Sequence, residues 1–287
     1  MQVRLPRIDY SRIRPDWAIN REFAHDRNAS STIPSYVEPY LIKVMKRAKE
    51  VLQAGETQLH AEIDWFIAQE SQHYRQHNAF NRSIRAFYPG IERFEKELEQ
   101  TYVDFLAHRS LKFNLAYSEG FESLGPPAAK LWFEHSDDML AGAQPEAVAL
   151  WKWHMAEEFE HRTVCYRLFR ALYARTLWGR FRNGWLYRVY GFLAAVIHLG
   201  RYTKRVRAHL IACDRTKMSP AEQQQSRRNL AALGQLTRRY MLPELIKVLS
   251  PFYDPGRKQP PHGLIAYLTR FEKGGDMGLG DGAQNAA

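Results

Sequence analysis

At 287 residues, 45% of them hydrophobic and 25% charged, the chain can bury a substantial core. Two cysteines, Cys165 and Cys213, exclude a disulfide framework and make a reducing compartment the expectation. The start of the chain has no apolar run that would serve as a signal peptide, and the longest such run, Val189 to Leu199, is roughly half of the ~20 residues a spanning helix needs, so a cytoplasmic protein is expected.

Residues 1–33 are polar and basic without a sustained period and read as an arm lying across the body. They contain a Glu-x-x-His, Glu22 and His25, with no apolar stripe around it, and this one reads as chance. A helix is predicted from Tyr36 to Leu52, with Ser35 as its cap and Pro39 tolerated in its first turn. Gly55 marks a turn, and a second helix follows from Glu56 to Phe87. On it Leu59, Ile63, Phe66 and Phe80 share a face with Glu70, His73 and His77. Polar groups interrupting an apolar stripe need partners, and that interruption is the first functional signal.

The third predicted helix runs from Ile91 to Leu124 and the Gly125-Pro126-Pro127 run ends it. A short helix over 128–141 leads to Pro145, which starts a fourth long helix reaching Leu177. On this helix His154, Glu158 and His161 form one stripe. Further helices are predicted over 184–213, 220–248 and 264–271, and the Gly-rich end after Gly274 reads as disordered. The expected organisation is an arm (1–33), a metal-binding helical bundle (34–177), additional helices packed on it (178–273) and a tail (274–287).

Two long helices thus each carry Glu-x-x-His, as Glu70/His73 and Glu158/His161. A carboxylate and an imidazole one turn apart can reach the same cation. In ferritin-like dinuclear proteins two such helices are joined by two more that each supply one glutamate. The first-helix carboxylate is chosen by level: at ~1.5 Å per residue Glu38 stands about 26 Å from the turn at Gly55 and Glu70 about 23 Å, whereas Glu50 falls about 15 Å short. Glu119 is the choice on the third helix, with Glu122 one turn on as the alternate. Gln69 and Glu157 directly precede the ligand glutamates and are placed to reach across and fix the partner helix's histidine through Nδ1. His77 and His154 are open between supporting, substrate-pocket and core roles.

The blocks that carry these residues, Phe66-Ile67-Ala68-Gln69-Glu70-Ser71-Gln72-His73 continuing to His77 and Asn81, and Trp153-His154-Met155-Ala156-Glu157-Glu158-Phe159-Glu160-His161, resemble the family described as predicted metal-dependent hydrolase. The resemblance covers about residues 30–175. It implies an all-α, ferritin-like four-helix bundle with metal ligands at Glu70, His73, Glu158 and His161. Glu119 matches the family's third-helix glutamate, and Val37-Glu38 stands where the family has Gly-Glu.

The family label names hydrolysis, whereas a carboxylate-rich dinuclear site by itself argues for iron or manganese and O₂. The first expectation is therefore a di-iron, or mixed iron and manganese, oxidase or oxygenase. Its small apolar substrate would be lined by Trp65, Phe66, Phe113, Tyr117, Phe121 and Trp153. Hydrolysis with Glu157 or His77 as base is the alternative, and a non-catalytic metal protein the third reading. An oxidase would call on an electron donor, and an oligomer is compatible with all three. The net charge of +10, densest between Arg175 and Arg215, comes with no recognised nucleic-acid module; the segment 184–207 is the place where the protein would touch a membrane surface.

Overall fold

The computed structural model describes residues 2–272, and among them every regular element is helical. In chain order these are α1 (Arg21–Ser31), α2 (Pro34–Glu50), α3 (Thr57–Phe87), α4 (Ile91–His108), α5 (Leu111–Glu122), α6 (Gly125–Glu134), α7 (Asp137–Leu140), α8 (Pro145–His161), α9 (Val164–Tyr173), α10 (Leu177–Phe181), α11 (Arg188–Arg215), α12 (Pro220–Leu236), α13 (Leu242–Val248) and α14 (Leu264–Glu272). Wider π turns join α10 to α11 over Arg182–Tyr187 and α12 to α13 over Thr237–Met241. The tail expected to be disordered lies outside the described residues. No described helix is long and apolar enough to cross a membrane.

The predicted all-α class holds, with three departures. The arm contains a helix, α1, because Asn20 caps it by accepting a hydrogen bond from the Phe23 N–H and its mixed face packs between α3, α11 and α12. Glu22 and His25 are both buried there: Glu22 accepts from Asn229 and His25 meets Asp214 at 2.8 Å. The helix after α1 starts at Pro34, so Ser35 lies inside it and does not cap it, and Pro39 sits mid-helix. The two long helices predicted over 91–124 and 145–177 are each broken once. Arg109 leaves helical backbone and Ser110 restarts the chain by accepting from the Phe113 N–H, while the Asn114 amide lies 3.1 Å from the Phe105, Arg109 and Ser110 carbonyls. The second break, at Arg162-Thr163, is held by the Arg162 guanidinium on the Phe159 and Pro255 carbonyls.

Helices α2, α3, α5 and α8 converge on a common interior, where Val37, Leu41, Phe66, Leu115 and Trp153 are fully buried. Helix α11 covers α5, and the two approach so closely that glycine is required on each. A side-chain carbon at Gly191 would lie 2.3 Å from the Ala116 carbonyl oxygen, and one at Gly120 would lie 2.6 Å from the Phe192 Cα.

A candidate metal centre

Glu38 from α2, Glu70 and His73 from α3, and His154, Glu158 and His161 from α8 meet in this interior, all of them buried. Two overlapping sets of four, Glu38/His73/His154/Glu158 and Glu70/His73/Glu158/His161, each present one donor atom per residue within 4.8 Å of the others. His73 and Glu158 belong to both. Around them His161 Nε2 stands 3.2 Å from Glu70, and His154 Nε2 stands 2.9 Å from Glu158 and 3.4 Å from Glu38. Helix α5 brings Glu122 to 3.0 Å from the other nitrogen of His161.

Most of these atoms have no hydrogen-bond partner. Both oxygens of Glu38, Glu70 and Glu122, Nδ1 of His73 and both nitrogens of His161 are buried and unsatisfied. That is costly for a packed core and is the state expected of donors aimed at a shared cation. A mixed carboxylate and imidazole set suits first-row divalent ions, so the residues present fit a metal.

The electrostatics show the same crowding. Burial, then the neighbouring Glu70, pushes the Glu38 carboxyl well above the usual range, and burial followed by Glu158 does so for Glu122. Burial also raises Glu70, against the pull of His161. Glu158 goes the other way, to about 2: burial opposes its ionisation, but His161, His154 and His73 outweigh it. For His161 burial is likewise outweighed, by Glu122 and Glu158, and its pKa rises to about 9. His154 falls to about 4 through burial and the nearby His73.

Two hydrogen-bond chains orient the imidazoles. On one side Glu157 reaches from α8 to α3 and accepts from His73 Nε2 at 3.1 Å, which turns Nδ1 of that ring toward Glu70 and Glu158. Glu157 is held in turn by the buried Arg4 guanidinium, which also grips Glu160. On the other side the Asn81 amide donates to the Ser31 carbonyl and the Ser35 hydroxyl, so its oxygen must accept from Ser31 Oγ. Ser31 therefore accepts from His77 Nδ1 at 2.7 Å, and His77 Nε2 accepts from His154 Nδ1 at 2.6 Å. The proton on His154 is thereby fixed at Nδ1, and the lone pair on Nε2 faces the two carboxylates.

A family model described as predicted metal-dependent hydrolase matches residues 2–259 of the chain. The chain belongs to this family. No curated protein and no solved structure matches it.

In this member of the predicted metal-dependent hydrolase family the expected site residues separate into groups. Glu38, Glu70, His73, Glu158 and His161 come together, and His154, which the sequence left between roles, joins them. Glu119 does not: it lies 3.6 Å from Arg188 and accepts from Ser123, with its pKa raised by burial to about 7, and Glu122 takes the place beside His161. Glu157 does cross to the partner helix, but to Nε2 of His73 where Nδ1 was expected. Gln69 does not reach His161 and donates instead to the Gln2 carbonyl and Glu160.

A cavity of about 370 Å³ reaches His154 and Glu158 from outside, between α1, α6, α8 and α11, with Phe121 at the end of α5. Of the aromatic residues expected to line a pocket, Phe121 does so. Trp65 is exposed on the surface, Phe113 and Tyr117 pack in a ring cluster with Phe105, and Phe66 and Trp153 stand edge-on to His161 and His73 at 4.9 and 5.0 Å. Arg4, Ser31 and Arg188 carried no sequence signal, because each acts through a partner more than 45 residues away.

Proposed function

We propose that the protein is a hydrolase using two divalent cations held in a ferritin-like arrangement of α2, α3, α5 and α8, acting on a small apolar substrate admitted through the cavity. The observation that carries this reading is the pair of overlapping donor sets, sharing His73 and Glu158, at the floor of an apolar cavity. Bound cations would supply Lewis acidity and make water acidic enough to serve as a nucleophile at neutral pH. Glu158 and His154 present the side open to the cavity, Glu38, Glu70 and Glu122 supply compensating negative charge, and the edges of Phe66 and Trp153 keep water from the rear. His77 and Ser31 hold the His154 proton away from the site, so that Nε2 remains a donor of electrons.

The cavity wall is apolar through Ile33, Leu124, Leu131 and Met155, while Arg27, Lys204 and Arg207 also line it, with Asp26 pairing with both arginines. This composition favours an apolar substrate with an anionic group at the outer end. Oxidation by O₂, the first expectation from the sequence, draws only on the donor set, which serves a hydrolytic dinuclear centre equally; the family match weighs for hydrolysis.

Metal analysis of the purified protein together with strictly anaerobic assay on acyl aryl esters tests the proposal. Retention of about two divalent ions per chain and chelator-sensitive, oxygen-independent hydrolysis are expected. Glu70→Ala and His161→Ala should each lose at least one ion, and Glu119→Gln should keep both. Turnover that requires O₂, or full metal content in both ligand variants, would overturn it.

A further inference from the structure

The outer face of α10, the following π turn and α11 carries large apolar side chains that nothing in the fold covers. Leu177 is 83% exposed, Trp178 64%, Tyr190 49% and Ile197 49%, with Phe181, Leu186 and Leu193 also exposed. Their spacing is regular. Leu186, Tyr190, Leu193 and Ile197 follow one another at steps of four, three and four, one stripe of a helix, while Phe192, Ala195 and Leu199 point into the core. Trp178 stacks on Phe181 at 5.6 Å, and Phe181 meets Trp185 edge-on at 5.4 Å, so the aromatic end of the stripe is already assembled.

The segment that carries the stripe bears charge of one sign, while Glu56 and Glu97 from other helices pair with Arg175 and Arg205 at its two ends. Between Glu160 and Asp214 the chain contains no Asp or Glu. Arg180, Arg182, Arg201 and Lys204 flank the stripe and are exposed. Large apolar and aromatic side chains framed by arginine, on a helix too polar to span a bilayer, are the composition of a helix lying in a membrane interface. A second copy of this chain fits poorly, since a two-fold contact would set these cations against their own counterparts.

We infer that this face docks on an anionic lipid surface, with Trp178, Phe181 and the α11 stripe entering the headgroup layer and Arg180, Arg182 and Arg201 meeting its charge. Lys204 lies seven residues beyond Ile197 on the same face and also lines the cavity, so the docked protein would hold the cavity mouth beside the lipid. The inference does not depend on which reaction the metal centre performs.

Co-sedimentation of the full-length, metal-loaded protein with vesicles tests it. Binding to vesicles of phosphatidylcholine with phosphatidylserine is expected, weakened by salt, with little binding to phosphatidylcholine alone. Trp178→Glu and the double variant Arg180→Glu/Arg182→Glu should each weaken that binding by about tenfold or more. Both leave the core untouched, so thermal melting and metal content should stay at wild-type values. Absence of binding at low salt, equal affinity for neutral vesicles, or a dimer in sedimentation velocity that Trp178→Glu dissolves would each overturn the inference.

Discussion

Substituting alanine for Gly191 puts a methyl carbon 2.3 Å from the Ala116 carbonyl oxygen, 2.5 Å from its carbonyl carbon and 2.8 Å from its Cβ. Even close C–H···O contacts keep the carbon at about 3.3 Å or more, so α11 and α5 would have to part by about 1 Å along their tightest line. Overpacking of this kind costs about 1–3 kcal/mol. At about 2–4 °C per kcal/mol for a chain of this size, a 2 kcal/mol loss lowers Tm by about 4–8 °C. Gly200→Ala in the same helix is the control: nothing lies within 4 Å of its added carbon, so replacing a mid-helix glycine there gains up to about 1 kcal/mol. The comparison reaches the metal centre because α5 carries Glu122, and parting the helices should weaken metal binding as well as lower Tm. Melting curves and chelator-competition titrations of the two variants are the assays. A Gly191→Ala protein that melts at or above the wild type would refute the reasoning about this interface.

Other consequences follow from the same interior. Arg4→Ala takes the guanidinium from the fully buried Glu157 carboxylate and leaves it the His73 N–H, and should cost about 3 kcal/mol in denaturant unfolding; Glu157→Gln in the same background should recover part of the loss. For metal-free protein, His73 and His161 titrate above their ordinary value, the latter at about 9, so the stability they contribute is full below about 6.5 and lost as pH rises toward 9. His77 and His154 are depressed, so stability falls as pH drops from about 6.5 toward their lowered values. A Tm that falls as pH rises from about 6.5 toward 9 after chelation is the expected result, with the raised carboxyls of Glu38, Glu70 and Glu122 adding to the fall, and a monotonic rise to pH 9 would contradict the assignment. Ser31→Ala removes the acceptor that fixes His77, freeing the tautomer of His154; metal affinity should fall about tenfold with little change in unfolding of the metal-free protein.

The sequence by itself determined the helical class and the pairing of Glu70 with His73 and of Glu158 with His161, because residues three apart on a helix share a face whatever surrounds them. It also pointed to Glu38, since the rise per residue fixes the level of a side chain across a short turn. Only the tertiary structure separates the surroundings of Glu119 from those of Glu122: the two lie one turn apart, and the first stands beside Arg188 from α11 while the second faces His161. The same holds for His154, whose lone pair is aimed by Asn81, Ser31 and His77 on other helices, and for Arg4, which reaches Glu157 from an arm without periodicity. Local backbone geometry is written in neighbouring residues, whereas the direction in which a buried polar group finds its partner is set by how distant helices pack.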